Sequence, residues 1–209
     1  MIERTPEGLY CRAADAWVDP WRPVPRALIT HAHADHARPG CGEYWAVASS
    51  EGVLRQRLGQ DISLHPVQYG VEHWLGQCRV SFHSAGHVLG SAQIRLEVDG
   101  EVWVVSGDYK RDADPSCDPF EPVPCDVLIT EATFGLPIYR WQTGAEVANE
   151  IRAWWQGDRQ RPSLLFCYAF GKAQRLMAEL NAIGVDDEVL LHGAVETVTR
   201  HYRAAAVPM

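Results

Sequence analysis

The sequence predicts an α+β protein in which residues 1–140 are rich in strands and residues 141–209 alternate strands and helices. Two observations support this prediction. Short apolar runs separated by turn signals fill the first part, and Asp99-Gly100 forms a two-residue hairpin turn between two of them. After Gly135, helical patterns alternate with apolar runs, which is typical of a parallel sheet.

The first part contains one predicted helix among its predicted strands. The helix is "SEGVLRQRL", with Ser49 or Ser50 as the N-cap. The predicted strands are apolar runs of typical strand length that end in polar residues. They are "RALIT", "YWAVAS", "CRVSFHSAGH", the two arms of "SAQIRLEVDGEVWVVSGD", and "CDVLITEATFG".

The second part begins at a soft boundary between Leu136 and Gly144. Thr143 and Glu146 have the spacing of a capping box ahead of the helix "VANEIRAWW". The pattern then predicts a strand, a helix, a strand and a helix in that order. Their sequences are "SLLFCYAF", "GKAQRLMAELNAIG", "EVLLHG" and "AVETVTRHYRAAA".

Length and composition set the class of protein. With 209 residues, 46% hydrophobic and 22% charged, the chain is long enough for one domain with a sizeable core, or for one domain and part of another. Six cysteines without a C-x-x-C pair favour reduced thiols and a cytoplasmic location over a disulfide framework or a zinc ribbon. There is no secretory h-region and no apolar run of membrane-spanning length, so no membrane partner is expected. The net charge of −8 excludes a basic footprint over the whole surface, so a polyanionic substrate would need bound metal or a local basic patch.

The segment "ITHAHADHARPG" concentrates metal-ligating side chains directly after a predicted strand. His31, His33, Asp35 and His36 lie within six positions. Desolvating four such groups together without a cation is costly, and a solvated loop has no need of this spacing. The cluster therefore predicts a metal site.

Two distant residues complete the predicted site. His87 in "SAGHVLGSA" and Asp108 in "VVSGDYK" each follow an apolar strand. Either one alone is more often a surface residue or a satisfied core residue. Together with the cluster they supply imidazole and carboxylate ligands for zinc or a related ion, with Asp35 and His36 left for a second ion and Asp108 able to bridge the two.

These motifs resemble a known family. The runs "THAHADH", "SAGHVLGSAQI", "SGDYKR" and "LITEATFG" resemble the metallo-β-lactamase fold, and more narrowly the β-CASP nucleases. The segments "GLYCRAADAWVDPWRPVPRALITHAHADHARPG" and "FCYAFGKAQRL" are most similar to the bacterial ligase-associated DNA exonucleases. The resemblance covers essentially the whole chain.

The resemblance implies a fold and a function. The fold is the N-terminal part of a metallo-β-lactamase αββα-type sandwich, followed by the start of an α/β β-CASP domain. The function is a metal-dependent exonuclease on DNA, single-stranded or with resected ends, in DNA repair or end processing and in association with a DNA ligase. The alternatives are an RNA-processing β-CASP nuclease, a metallo-β-lactamase-fold hydrolase for a small substrate, and a non-catalytic binding protein.

The resemblance also implies roles for individual residues. Two divalent ions, zinc or manganese, are expected. Asp19 is expected to support the metal loop, and Glu131 matches an acidic residue that hydrogen-bonds a later histidine in the family; Asp35, Asp108 and Glu131 are the expected catalytic carboxylates. The first ion would be held by His31, His33, His87 and Asp108, and the second by Asp35, His36 and Asp108.

The chain departs from the family pattern after Glu131. Two further histidines normally follow the β-CASP insertion, and the chain ends at Met209 without them, so we expect a truncated chain with a weak second ion and poor turnover. His192 in "LLHGAVE" is a candidate for one of the missing ligands. The alternative is that it lies at the end of a strand and has no ligand role.

The segment "FCYAFGKAQRL" predicts a phosphate contact. A strand leads into Gly171, and the helix that follows begins with Lys172 and Arg175. Free N–H groups at a helix start together with two cations suit a phosphate, and a solvated basic helix face is the alternative.

Overall fold

The computed structural model describes residues 1–209, which form two sheets and four helices. The first sheet has six strands in chain order. β1 to β3 are antiparallel neighbours, and β3 to β6 are parallel neighbours. The strands are β1 (Ile2–Thr5), β2 (Gly8–Cys11), β3 (Ala16–Val18), β4 (Arg26–Leu28), β5 (Glu43–Val47) and β6 (Leu64–Val67).

The second sheet has five strands and is antiparallel except at one edge. β7 to β10 pair in antiparallel fashion, and β11 lies parallel to β10. The hairpin between β9 and β10 turns at Asp99 and Gly100, both of which have positive φ (51° and 86°), so the predicted two-residue turn is confirmed. The strands are β7 (His73–Leu75), β8 (Cys78–Ser84), β9 (Ala92–Val98), β10 (Glu101–Val105) and β11 (Val127–Ile129).

One hydrophobic core lies between the two sheets. Alternate residues of the strands point into it, because successive side chains of a strand face opposite sides of the sheet. The first sheet contributes small residues for the most part, and the second contributes the largest ring, Phe82. The predicted α+β class and two-sheet sandwich are therefore confirmed. The members of the core include Cys11, Ala16, Val18, Leu28, Val47, Val67, Val80, Phe82, Ile94, Leu96 and Val105.

The four predicted helices are all present. They are α1 (Glu51–Leu58), α2 (Gly144–Gly157), α3 (Lys172–Ala182) and α4 (Gly193–Ala204). The capping box of α2 is confirmed, since Thr143 Oγ1 accepts a hydrogen bond from the Glu146 N–H and the Glu146 carboxylate accepts one from the Thr143 N–H. Ser50 occupies the predicted N-cap position of α1, but its side chain makes no capping hydrogen bond. A short 3-10 turn precedes the helix, Ser50 is already helical, and its Oγ donates to the Val47 carbonyl instead.

Two predicted strands of the second part do not form. "SLLFCYAF" and "EVLLHG" have no β-ladder partner, and Phe166 and Leu190 are almost fully exposed. An apolar run becomes a strand only where a neighbouring backbone can pair with it, and neither segment has such a neighbour. The second part is therefore helical rather than alternating.

The chain divides into two compact units. The first comprises Met1–Ala113 and Asp118–Glu131, and contains both sheets. The second comprises Asp114–Cys117 and Ala132–Met209, and contains the last three helices. None of the helices is both long enough and apolar enough to cross a lipid bilayer.

Candidate metal centre

The histidine-rich loop begins where β4 ends. The Ile29 N–H donates to the Trp45 carbonyl (2.9 Å), which continues the parallel alignment with β5 by one residue. The chain then leaves the sheet, and the Ala37 N–H donates to the His33 carbonyl (2.9 Å) to close a compact turn. The end of a rigid central strand thus supports the loop.

His87 and Asp108 reach the same place from the second sheet. His87 lies in the loop between β8 and β9, where Ser91 Oγ accepts hydrogen bonds from the backbone N–H groups of His87 (3.0 Å) and of the next residue (3.1 Å). The Ala92 N–H donates to the Thr30 carbonyl at 2.7 Å, which attaches this loop to the end of β4. Asp108 is the third residue after the end of β10.

The first group of possible ligands contains His31, His33, His87 and Asp108. One donor atom from each lies within 4.8 Å of the others. His31 Nε2 is 2.8 Å from His33 Nδ1, and His87 Nε2 is 3.5 Å from Asp108 Oδ2. Three imidazole nitrogens and one carboxylate oxygen form a donor set that zinc takes in proteins.

A second group shares Asp108 with the first. Donor atoms of His36, Asp108 and Glu131 lie within 4.8 Å of one another. His36 Nε2 is 3.5 Å from Asp108 Oδ1, whereas the first group is near Oδ2. Asp35, the ligand expected from the sequence, is mostly exposed, and its Oδ2 lies 3.8 Å from His36 Nε2. The geometry therefore adds the Glu131 carboxylate to the residues predicted to bind the second ion.

Asp19 and Thr30 fix the orientation of two imidazoles. Asp19 Oδ1 accepts from the Thr30 N–H (2.8 Å), and Asp19 Oδ2 accepts from the Thr30 hydroxyl (2.5 Å) and lies 2.7 Å from His36 Nδ1. Since the hydroxyl hydrogen goes to Asp19, Thr30 Oγ1 accepts from His31 Nδ1 (3.1 Å). In both His31 and His36, Nε2 is then the nitrogen directed into the ligand groups.

The electrostatics of the two ligand groups differ. Burial, followed by the neighbouring imidazoles, lowers the pKa of His31 well below its usual value, so its ring is neutral. Burial also lowers the pKa of His36, but hydrogen bonds to Asp108 and Asp19 outweigh it and raise this pKa to about 10. The hydrogen bond to His36 lowers the pKa of Asp108. In the metal-free chain a proton on His36 therefore supplies the positive charge beside Asp108.

Arg57 and Thr30 are two supporting residues that the sequence analysis missed. The Arg57 guanidinium, on α1, donates to the Ala32 carbonyl inside the metal loop, and burial lowers its pKa while the charge of Asp35 raises it. Neither residue belongs to a recognisable motif, because each acts through the loop that it supports. The only signal in the sequence is that Thr30 directly precedes the cluster.

The two cations predicted to contact phosphate differ in their surroundings. Arg175 already lies 3.3 Å from Asp114 and 3.7 Å from Glu179, so its charge is neutralised by carboxylates. Lys172 is exposed and its Nζ lies 5.4 Å from the centre of the Tyr168 ring. Gln174 accepts from the Gly171 N–H, which occupies one donor of the helix start. Lys172 is therefore the cation that remains open to solvent.

His192, the rival candidate from the sequence, has a local hydrogen-bond partner. His192 is the N-cap of α4, and its Nδ1 accepts from the Ala194 N–H at 3.2 Å. His192 belongs to neither ligand group.

The residues present fit a pair of divalent cations. His31 Nε2 and His33 Nδ1 are 2.8 Å apart and are crowded by a third imidazole. Protonating all three rings is unfavourable because of mutual repulsion and burial. Cations held by the neutral nitrogens and by Asp108, which would offer one oxygen to each ion, would remove this conflict.

Three named relatives align with most of this chain. The chain is 33% identical over 201 residues to a probable DNA ligase of Opitutus terrae. This alignment covers 93% of this chain and 19% of that protein. It is 26% identical to the endoribonuclease YSH1 of Mycosarcoma maydis (88% of this chain, 25% of that protein). It is 31% identical to the cleavage and polyadenylation specificity factor subunit 3 of Dictyostelium discoideum (70% and 20%). The chain thus spans about a fifth to a quarter of the length of these relatives.

The fold has a counterpart among solved structures. A protein of unknown function from Enterococcus faecalis V583 superposes with a TM-score of 0.54 over 81% of this chain and 54% of that one, at 10% identity. At this identity the likeness concerns the fold alone. No family model matches the chain.

Proposed function

The chain is a relative of the metallo-β-lactamase-fold β-CASP nucleases, and from this relationship we propose that it hydrolyses phosphodiester bonds in nucleic acid with two divalent ions. The observation that carries the proposal is the pair of ligand groups that share Asp108. Zinc fits the nitrogen-rich first group, and manganese is the alternative. When bound, the ions supply Lewis-acid polarisation of a phosphoryl oxygen and a hydroxide at neutral pH.

The protein's own side chains hold and orient this centre. In the proposal, His31, His33 and His87 offer neutral nitrogens to the first ion, and Asp108 offers one oxygen to each ion. Asp19 keeps His36 in the tautomer whose Nε2 faces the second ion. The carboxylates of Asp35 and Glu131 complete the second site.

Glu131 has a second proposed role. Its carboxylate is exposed and has donor atoms near both His36 and Asp108. When it does not bind the second ion, this exposed carboxylate can take a proton from the attacking water and give it to the oxygen that leaves the phosphate.

DNA is the proposed substrate, in end processing and in functional association with a DNA ligase. The support is the match to a protein named as a probable DNA ligase, which aligns with 93% of the chain. RNA processing is the second candidate, because other relatives are named as endoribonucleases. Lys172 is proposed to contact a backbone phosphate, which carries no information about the base sequence.

The proposal is tested by a cleavage assay with matched substrates. End-labelled single-stranded DNA, duplex DNA with a recessed end and RNA of the same sequence are incubated with the chain in zinc or manganese, beside a small thioester. We expect cleavage of nucleic acid that a chelator abolishes and that Asp108→Ala reduces by at least about 100-fold, because one residue serves both ions. The control is His65→Ala, which removes a histidine that pairs with Glu43 rather than with the ligand groups.

Three results would count against the proposal. Turnover of the thioester alone would assign the centre to small-substrate hydrolysis. Equal rates for Asp108→Ala and the parent would remove the centre from the reaction. Unchanged metal content in a variant with both His31→Ala and His33→Ala, measured by elemental analysis, would remove the ions from the site.

A further inference from the structure

An exposed aromatic cluster, formed by Phe134, Tyr139 and Trp141, lies in the second unit. The Phe134 ring centre is 5.1 Å from that of Tyr139 and 5.4 Å from that of Trp141. The Tyr139 and Trp141 rings are nearly parallel, at 12° and 6.2 Å. Despite these contacts the three residues remain 59%, 41% and 70% exposed. The rings therefore order one another while leaving large π surfaces in water.

The backbone holds the aromatic cluster in place. The Gly135 N–H donates to the Ala132 carbonyl (3.0 Å), and the Tyr139 N–H donates to the Leu136 carbonyl (3.1 Å), so two consecutive turns shape the segment. The capping box at Thr143 fixes its far end. A surface ordered before binding loses less conformational entropy when a ligand arrives.

The charge of the segment is opposite to that of the chain. Arg140 lies between Tyr139 and Trp141 in the sequence and is the only charged residue from 132 to 145. It is exposed and makes no ion pair or hydrogen bond. In a chain of net charge −8, this segment offers a polyanion aromatic rings and one cation. Two carboxylates lie at its far end, where Glu150 accepts a hydrogen bond from Gln142 and Glu146 accepts one from the Thr143 N–H.

We propose that the aromatic cluster binds unpaired bases of a nucleic-acid strand by stacking, with Arg140 contacting an adjacent phosphate. The inference rests on the proposed function, in which nucleic acid is the substrate. It assigns nucleic-acid contacts to residues that are not metal ligands. Every base has a π face, so such a surface accepts all sequences, and its affinity comes from stacking plus one charge. A cluster of apolar rings in water is otherwise unfavourable for a protein surface.

The test measures strand binding without cleavage. A fluorescent 20-nucleotide single strand is titrated with the chain in the presence of a chelator. Trp141→Ala is expected to weaken binding by about 5- to 150-fold, the loss of stacking on one base. Trp141→Phe is expected to recover part of the affinity. The matched control is Trp74→Ala, since Trp74 is also 70% exposed but lies on β7, outside the cluster.

An abasic strand of the same length separates stacking from charge. On that strand Trp141→Ala and the parent should bind equally weakly, whereas Arg140→Ala should weaken both strands and lower the salt slope by about 0.7. Equal affinity of Trp141→Ala and the parent for the base-bearing strand would overturn the proposal. So would the same loss in the Trp74→Ala control.

The aromatic cluster and the metal centre can fail separately. Metal-dependent cleavage by the parent, with strand affinity independent of Trp141, overturns the cluster and leaves the proposed function. Binding that depends on Trp141, without any metal-dependent cleavage, supports the cluster and counts against the proposed function. Sedimentation velocity provides a further check, because a change of association state in Trp141→Ala with unchanged strand binding would assign the rings to a contact between copies of the chain and overturn the proposal.

Discussion

Gly107 is a single residue on which the position of Asp108 depends. Its φ is +53°, and a Cβ there would lie 2.5 Å from Thr30 Oγ1 and 2.6 Å from Thr30 Cβ. Thr30 cannot move away, because its hydroxyl and its N–H are both held by Asp19. The close approach of the two loops therefore requires glycine.

We predict that Gly107→Ala displaces Asp108 and lowers both metal content and stability. The unfavourable backbone conformation alone costs about 1 kcal/mol, and the contact with Thr30 adds to it, for a total of about 2–3 kcal/mol. The control is Gly100→Ala, which has φ +86° but nothing within 4 Å, so it should lose stability without losing metal. Urea unfolding and elemental analysis measure the two effects. Full metal content in Gly107→Ala would contradict the prediction.

Binding of the second ion should release a proton from His36. Its pKa of about 10 means that the ring is protonated at pH 7.5 in the metal-free chain, and coordination through Nε2 must expel that proton. We predict release of about one proton per second-site ion, and therefore an affinity for that ion that rises about tenfold per pH unit between pH 7 and 9. Calorimetric titration in two buffers of different ionisation enthalpy counts the protons.

Asp19→Asn tests whether the Asp19 carboxylate causes the raised pKa of His36. Losing the carboxylate beside His36 Nδ1 lowers the pKa of His36, so fewer protons should be released at pH 7.5. Asp15→Asn, which removes a carboxylate bonded to Tyr10, should leave the count unchanged. A count near zero in the parent chain would show that His36 is already neutral or is not a ligand.

At the scale of elements, prediction from the sequence worked where a pattern is local. The hairpin at Asp99-Gly100, the capping box at Thr143 and Glu146, and the long strand Cys78–Ser84 were all predictable, because their signals lie within a few residues. Five short strands (β1, β2, β3, β6 and β7) were not predicted, whereas the equally short β4 and β11 were. β6 contains Pro66, which lacks an N–H, and it forms only because it lies at the edge of its sheet.

The same reasoning explains the wrong strands. "SLLFCYAF" has the composition of a buried strand, but composition says nothing about whether a backbone lies beside it to pair with. The ligands of the metal centre were predictable because the cluster is dense and follows a strand. Thr30 and Arg57 were not, since a supporting role depends on contacts between segments far apart in the sequence.

The capping box of α2 provides the prediction at this scale. Thr143→Ala removes the acceptor of the Glu146 N–H and should destabilise the helix by about 1 kcal/mol. Thr197→Ala is the control, because Thr197 Oγ1 donates to the Gly193 carbonyl within α4 and alanine is the better helix former. Urea unfolding, monitored by the circular dichroism of the helices, should therefore show a lower midpoint for Thr143→Ala than for Thr197→Ala. Equal midpoints would mean that the cap contributes nothing to stability.

At the scale of the whole molecule, every candidate ligand belongs to the first compact unit. The ligands come from the end of β4, the loop after β8 and the ends of β10 and β11, so a bound ion would join the two sheets at one edge of their core. Anything that binds the folded state and not the unfolded state stabilises the former by mass action. Metal should therefore act first on the unit that carries the ligands.

We predict that zinc raises hydrogen-exchange protection in β4, β8 and β9 more than in α4, which carries no ligand. At an ion concentration 100 times the dissociation constant, the stabilisation is about 2.7 kcal/mol, which corresponds to roughly 100-fold slower exchange of the most protected amides. Exchange followed by mass spectrometry, with and without chelator, provides the comparison within one sample. The variant with both His31→Ala and His33→Ala should exchange at the chelated rate in either condition, because the first ion has lost two of its nitrogens. Equal gains in β8 and α4 would instead mean that the ion stabilises the chain as a single cooperative unit, and no gain in β8 would mean that the sheets hold their edge together without it.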